Sequence, residues 1–562
     1  MSKTTRKEAL ALLTAAGQDY EIKEQSIDGL PIRTFANAPS SLKQLFADAV
    51  SDETFYVFGD ERYTFAEIYT LSARLAVQLQ QRYNVSKGDR VAISMRNYPE
   101  WVAAFMASTS IGAVAVAMNA WWGADEIAQG LDDCGAVVML ADQERLDRLA
   151  QIDNLQTEII AVRPTASDHV GTEFQTLMDD IPSDVVMPEV AIDSEDPATI
   201  FYTSGSTGFP KGAVASHRNI LSALLSWELD QTSAMLINGT EPPVLDYQSA
   251  TLLAVPLFHV TGSHAIYLSS YRAQRKVVAM YKWDPDQASD LIESEQISSF
   301  IAPAAMTGDL VQAATRTNRN LATLLSVGGG GAPRAPEQVK DIDDAFSGAL
   351  PGTGWGMTET NAIGTGIGGQ DYLDRPASSG RVSAVLDLRV VDEAGVELPQ
   401  GERGELQIRG ASVIKGYWRR PEANAETFHE GWLKTGDVAY FDEEGFVFIV
   451  DRIKDLIIRG GENIGCGEVE AALLEHPLIH EACVYAVPDT RLGEEVASTV
   501  YADVKISEDE LRGFLSERLA KFKIPKYLQF TDEHLPRIAS GKIFKRQLRD
   551  DTVASLSDPS VG

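Results

Sequence analysis

"DRVAISMRNYPEWVAAFMASTSIGAVAVAMNAWWGADEIAQGLDDCGAVVMLA", Asp89–Ala141, decides the fold. "DRVAISM" reads as a strand, "YPEWVAAFMASTSIG" as a helix and "AVAVAM" as a strand; "ADEIAQGLDDCG" is again helical and "AVVMLA" extended. Strands that are apolar throughout, joined by helices at short spacing, mark parallel βαβ units with helices on both faces. Trp101–Ala124 carries no charge and is long enough to span a bilayer. Its Ala, Ser, Thr and Gly content, with Gly112 dividing it, instead reads as a buried helix leading into a buried strand. No membrane span is expected.

The alternation begins near Arg62 and recurs around "ATLLAVPLFHV" and "RKVVAM". After Arg381 the texture changes to short strands with tight turns, in "LRVVDEAGVELP", "GERGELQIRG" and "GFVFIVDR", which is antiparallel meander or barrel material. From Asp451 onward helix, strand, strand, helix and strand follow in about a hundred residues, the common size of one small domain. The expected fold is α/β. Residues 1–453 would form a large N-terminal domain of stacked, mostly parallel sheets with a small antiparallel barrel-like subdomain. Residues 454–562 would form a small, mobile α+β lid.

The chain has 562 residues and a formal net charge of -32. That length exceeds one hydrophobic core. The charge argues against nucleic acid as a partner, because phosphate backbones want basic faces; any anion site must be locally basic. Three cysteines without CxxC spacing suit a reducing compartment, so a cytoplasmic protein is expected. Eight scattered histidines offer no metal motif. The N-terminus starts basic and apolar, but Glu8 interrupts it and no cleavage pattern follows.

"ATIFYTSGSTGFPKGA" runs from a strand into hydroxyls and glycines, a composition that lets backbone N–H groups approach a phosphate. It is not a Walker A loop: counting from Gly205, the second glycine falls on Pro210, which has no N–H to offer. Three further stretches accompany it: "GTGWGMTET", "WLKTGDVAYFDEEGFVFIVDRIKDLIIRGGENI" and "LPRIASGKIFKRQLRD". The four, in this order, resemble the adenylate-forming superfamily of acyl-CoA synthetases, luciferases and peptide-synthetase adenylation domains. The resemblance runs from about Arg62 to Arg549.

The resemblance implies ATP, Mg²⁺ and CoA as reactants with a carboxylic acid, through an acyl-AMP intermediate. Thr203, Ser204, Gly205, Ser206, Thr207 and Gly208 would embrace the β- and γ-phosphates, and Lys211 reads equally as a solvated turn lysine. Gly330, Gly331, Ala332 and Pro333 would bind ATP, while Trp355, Gly356 and Met357 would lie against the adenine, with Trp355 standing where the family usually carries Tyr. Thr358 would bond the α-phosphate and Glu359 would hold the metal. Asp437 and Arg452 would take the ribose, and Lys542 would bridge carboxylate and α-phosphate during adenylation. Lys454 would be the lid's hinge, with Gly460 and Gly461 passing close to the pantetheine arm of CoA. His259 would be a gate between compartments.

Gly465-Cys466-Gly467 departs from the family's usual Tyr-Pro or Ser-Pro, and Cys466 reads as a passive small residue rather than a nucleophile. Leu229–Ala250 reads as a long surface loop near the acid's entry. Residues near Val260–His264 and Ala304–Gly308, with the glycine run ending at Pro333, are expected to line the acyl pocket, its wall kept thin by Gly328–Gly331, and Asp309 is the one charged residue they offer. This favours an apolar acid, a medium- or long-chain fatty acid first, with an aromatic or steroid-like acid as the alternative. A carrier-protein acyl-AMP ligase, a luciferase-type oxygenase and a catalytically silent nucleotide-binding protein share much of this pattern. Peripheral membrane contact and a homodimer are both compatible with it.

Overall fold

The structure is a computed structural model describing residues 4–203, 210–317, 319–331, 334–346, 348–460, 462–538 and 541–557. Two large sheets carry the N-terminal part. The first has eight strands, and its core, Pro197–Thr203, Val114–Ala117, Arg90–Ser94, Val138–Asp142 and Glu158–Val162, is parallel throughout. The helix Pro99–Ser110 that follows Arg90–Ser94 is buried at every position, which accounts for its uncharged sequence. Among the described residues no helix is long and apolar enough to cross a membrane.

The second sheet has nine strands. Ser299–Ala302, Ser326–Gly329 and Leu350–Trp355 run parallel, and Thr365–Gly368 and Arg381–Val382 continue the sheet antiparallel. Its successive crossovers step in opposite directions from Ala250–Leu253. With right-handed connections, this puts the π-helix Thr261–Leu268 on one face and the helices Ala304–Thr317 and Pro336–Ala345 on the other. A curled antiparallel sheet follows: Leu386–Val391, Gly404–Gly410, Trp432–Phe441 and Val447–Arg452.

Arg452 ends the last strand of that sheet, and Ile457–Arg459 opens another. The C-terminal sheet pairs Glu481–Asp489 with Gly493–Tyr501 and adds Tyr527–Thr531 parallel to the latter. It has its own core, with Val469, Leu473, Val484, Val496 and Leu511 among the buried residues. The fold is thus the α/β architecture expected, with the antiparallel subdomain and a small C-terminal unit.

One expectation changes. Leu229–Asn238 is not loop but the second half of a 22-residue helix, His217–Asn238, closed by Gly239 at φ +63°. A left-handed residue at a helix end is the usual place for glycine. The polar "NGTEPP" run disguises where the helix stops, and only the following segment, with Val244 almost fully exposed, is irregular.

Candidate active site

The two parts of the chain meet across a cavity of about 2610 Å³. Lys542 enters it from the C-terminal side, its side chain reaching the glycine-rich wall: a Cβ added at Gly331 would lie 3.6 Å from Lys542 Cε. The turn bearing it is closed by Ile538 N–H donating to the Lys542 carbonyl at 2.9 Å. Gly541, at φ +81°, brings this turn against Met306 and Pro303. Lys542 is exposed, and it lines the cavity. Desolvation by the surrounding protein, with Arg452 and Lys454 nearby, lowers its pKa, and Asp437 opposes the shift.

Asp437, 2 % exposed, is the best-held carboxylate of the site. Its Oδ1 pairs with Arg452 Nε at 2.6 Å, and its Oδ2 accepts the Trp355 indole N–H at 2.8 Å. The indole therefore does more than replace a tyrosine ring. It supplies a donor to a buried carboxylate whose pKa burial raises, with Arg452 and Trp355 opposing. Gly364 permits this pose, since a Cβ there would come within 2.6 Å of the ring.

Thr358 and Glu359 lie on a single 3₁₀ turn, Thr358–Thr360, just after the strand that carries Trp355. Glu359 is buried, and its Oε1 accepts the Tyr417 hydroxyl at 2.7 Å. Tyr417 in turn faces Lys211, whose Nζ stands 5.1 Å from the ring centroid. Lys211 is thus part of the site and not a solvated turn residue. Tyr417 went unrecognised in the sequence because it lies 58 residues from its partner, in the two-residue strand Gly416–Tyr417 whose flanks look merely basic. Without the tyrosine O–H, the buried carboxylate loses its donor and its aim. Tyr417→Phe is expected to lower kcat/KM for ATP about 10-fold, the scale of one hydrogen bond to a charged group, and to raise the Mg²⁺ concentration needed for half-maximal rate. Titrating Mg²⁺ against initial rate checks it; identical curves would remove Tyr417 from the site.

His259 sits not on a strand but in the turn before the π-helix, its backbone N–H on the Pro256 carbonyl at 3.2 Å. Burial, then the charge of Lys542, pushes its pKa down to about 4, and its Nε2 has no hydrogen-bond partner among the described residues. One turn on, His264 bonds Ser263 Oγ through Nδ1 at 2.8 Å and Asn361 Oδ1 through Nε2 at 3.2 Å. Burial pushes it down to about 3. It fastens the π-helix to the residue just past Thr358–Thr360, a place where π-helical turns often serve a site.

These neutral histidines, with buried His217 near 4, carry a pH consequence. Each folded-state pKa is depressed, so nothing is lost above the unfolded value of about 6.5. As pH falls below it the unfolded chain takes up protons first, until about 4, or 3 for His264. The unfolding free energy from urea titrations is expected to fall between pH 6.5 and 4, by on the order of 3 kcal/mol per histidine, and the urea midpoint with it. A midpoint unchanged over that interval would contradict their neutral burial.

The remaining expected residues are placed as follows. Thr203 ends its strand at the cavity, with Oγ1 donating to the Lys211 carbonyl at 3.3 Å. Gly330, Gly331, Gly356 and Met357 line the cavity. Ser204, Gly205, Ser206, Thr207, Gly208, Ala332, Pro333 and Gly461 lie outside the described residues. Lys454 is exposed in the turn between the two last sheets. Gly460, at φ +61°, donates its N–H to the Leu492 carbonyl at 2.9 Å. Cys466 is buried, with Sγ on the Asp455 carbonyl and its pKa pushed up by burial, so it is inert as a nucleophile.

The acyl side of the cavity differs from expectation. Register places Gly328, Gly352, Gly354, Gly366 and Gly368 on one face of three adjacent strands. This is the face of the π-helix; on the opposite face Gly329 meets Arg334, which bonds Thr307 Oγ1 at 3.1 Å. The helix His217–Asn238 lines the same cavity, contributing Trp227, Asp230, Gln231 and Ala234. Asp309 is instead turned to the Trp283 indole N–H at 2.9 Å. The lining is therefore flat along the glycines and partly polar along the helix.

A family model described as AMP-binding enzyme matches residues 44–418, two thirds of the chain. The chain belongs to the AMP-binding enzyme family. The model of that family's C-terminal domain matches residues 468–542, ending on Lys542. The 2-succinylbenzoate–CoA ligase of Bacillus velezensis is 33% identical over 509 residues, 89% of this chain and 96% of that protein. The long-chain-fatty-acid–CoA ligase FadD13 of Mycobacterium tuberculosis is 33% identical over 500 residues, 88% of this chain and 94% of that protein. Among solved structures, the o-succinylbenzoate coenzyme A synthetase of Bacillus subtilis in complex with ATP and magnesium ion aligns with a TM-score of 0.76 at 29% identity, covering 91% of this chain and 99% of that one. Family membership places this AMP-binding enzyme in the adenylate-forming acyl-CoA synthetase branch, as an acyl- or aryl-CoA ligase.

Proposed function

We propose that the enzyme converts a carboxylic acid and ATP to an acyl adenylate and pyrophosphate, then transfers the acyl group to CoA with release of AMP. The observation that carries this is Lys542, brought from the C-terminal domain to the wall of the cavity that Thr358, Glu359 and Asp437 also approach. In the first step two anions must meet, the carboxylate and the α-phosphate. Lys542, a mobile point charge, lies where both would be neutralised. Thr358 would donate to the α-phosphate, and Thr203 with the loop 204–208 would hold the other phosphates. Gly330, Gly331, Ala332, Pro333, Gly356 and Met357 would flank the base beside Trp355, and Asp437 with Arg452 would hold the ribose hydroxyls.

Glu359 fits a divalent cation: its carboxylate is buried, held by one neutral hydroxyl, and free of salt bridges among the described residues. Mg²⁺ there would offset phosphate charge. For the second step the C-terminal domain would turn about Lys454, removing Lys542 and presenting Gly460 and Gly461 to the thiol's path. CoA would be the acyl acceptor, and the enzyme would work in the cytoplasm as a homodimer.

For the acid, the glycine floor supports a planar acyl group in preference to the fatty chain first expected. Five glycines on one strand face leave a flat floor in a cavity that the Trp227 indole also lines, and aromatic rings stack on flat faces. The similarity to a ligase named for 2-succinylbenzoate supports the same choice. The test is pyrophosphate release with a panel of benzoic, cinnamic and fatty acids, with and without CoA, following thioester by mass. Aryl-CoA thioesters at the highest kcat/KM are expected. Preference for alkanoic acids would restore the fatty-acid reading, and release without thioester would favour a carrier-protein acceptor.

A further inference from the structure

We propose that Glu481 is a positioning residue for adenylation, acting through Arg537 on the turn that carries Lys542. The inference rests on the role given to Lys542 above and names what holds that lysine in place.

Glu481 opens the strand Glu481–Asp489 of the C-terminal sheet and is buried. Among the described residues, every donor on its carboxylate comes from one short segment, 534–537. Oε1 accepts the Arg537 Nη2–H at 2.6 Å and pairs with His534 Nδ1 at 2.7 Å, and Oε2 accepts the Leu535 N–H at 2.9 Å. A carboxylate offers about four acceptor positions, so three donors leave it little capacity for a ligand. Its backbone is held in the ladder opposite Tyr501. The anchor is therefore the sheet, and what it anchors is the approach to Lys542.

The turn's own bonds set its shape. Ile538 N–H donates to the Lys542 carbonyl at 2.9 Å, Gly541 N–H donates to the Ile538 carbonyl at 2.8 Å, and a single bridge pairs Arg537 with Ile543 at the base. These bonds close a hairpin on itself without tying it to the domain. On its C-terminal side the hairpin runs into the helix Lys545–Ser557, which packs against the strand Glu481–Asp489. On its N-terminal side the tie is Glu481.

Arg537 carries that tie to the lysine. Its other terminal nitrogen, Nη1, donates to the Gly541 carbonyl at 3.1 Å. That carbonyl belongs to the peptide joining Gly541 to Lys542. One planar guanidinium thus spans from the carboxylate on the sheet to the backbone of the lysine, and its rigid fork fixes the two ends relative to each other. Gly541 also rests against Met306 and Pro303 of the N-terminal part. A turn released from Arg537 would shift Lys542 along the glycine wall, and a displacement of about 1 Å near the chemistry costs on the order of 10²-fold in rate.

The test measures both half-reactions with the acid of highest kcat/KM in the panel above: single-turnover pyrophosphate release, and thioester formation from supplied acyl adenylate and CoA. The proteins are wild type, Arg537→Met, Glu481→Gln, Lys542→Ala, and the two double variants that combine Lys542→Ala with each of the others. The maximal rate of adenylation is expected to fall about 10-fold or more in Arg537→Met and at least about threefold in Glu481→Gln. Half-saturating ATP and acid are expected to stay within about twofold, and thioester formation within about threefold of wild type. In the Lys542→Ala background either substitution is expected to cost less than about twofold more, because the guanidinium has no lysine left to place. Losses that multiply in the double variants, equal loss of both half-reactions, or unchanged adenylation in either single variant overturn the assignment and leave Lys542 in its role. Unimpaired adenylation by Lys542→Ala overturns that role and the assignment with it. Glu481→Gln keeps the side-chain volume and, alone and with Lys542→Ala, decides the matter if Arg537→Met does not fold.

Discussion

Lys542→Ala is expected to slow acyl-adenylate formation about 10²–10³-fold, the cost of removing one preorganised donor from a charged transition state. Thioester formation from supplied acyl adenylate is expected to stay within about threefold of wild type. The asymmetry follows from position. Lys542 is the cation that the C-terminal domain delivers to the glycine wall, beside Asp437 and Arg452. Once pyrophosphate has left, no second anion remains to be brought against the first. Lys542 is exposed to the cavity and has no carboxylate within salt-bridge distance among the described residues, so its charge is available to the substrates. Half-reaction assays separate the outcomes: equal loss in both steps would mean that the substitution damages the fold or the nucleotide pocket, and the proposed role would fall.

The second large effect is expected at Lys454. Lys454→Pro should cut overall CoA-dependent turnover about 100-fold, the scale of a misplaced reacting group, while adenylation changes far less. The residue lies where one sheet ends at Arg452 and the next begins at Ile457. The neighbouring N–H groups are committed: Ile453 donates to Gly436, and Asp455 and Leu456 both to Arg452. Among the described residues the Lys454 N–H makes no backbone bond, so proline removes freedom in φ more than it removes contacts. Normal turnover with CoA would place the hinge elsewhere.

Most of the architecture is legible in the sequence because burial on both faces leaves a plain mark. "AVAVAM" and "AVVMLA" are apolar throughout, and the helix Pro99–Ser110 is uncharged, since none of them meets water. The C-terminal unit is legible for the opposite reason: its strands and helices alternate in a short span with clear turns. The site is legible only where its residues are clustered, as in Thr358-Glu359 or around Lys542. What escapes is made by chain-distant pairing. Trp355 meets Asp437 across 82 residues and Tyr417 meets Glu359 across 58. Arg6 meets Asp230 across 224. Each of these residues alone looks like a surface charge or a core ring. The glycine face of the cavity escapes for another reason: glycines at 328, 352, 354, 366 and 368 read as turns until the register lays them on one face.

The most direct test of two-step chemistry is a single-turnover experiment. Enzyme in excess is mixed with limiting radiolabelled ATP, Mg²⁺ and an accepted acid without CoA, quenched, and then chased with CoA. The expected result is a burst of enzyme-bound acyl-AMP with stoichiometric pyrophosphate, converted on the chase to acyl-CoA and AMP at a rate no slower than steady-state turnover. Acyl-CoA forming with CoA present while no acyl-AMP forms without it, or an acyl-AMP that the chase does not consume, would contradict the mechanism.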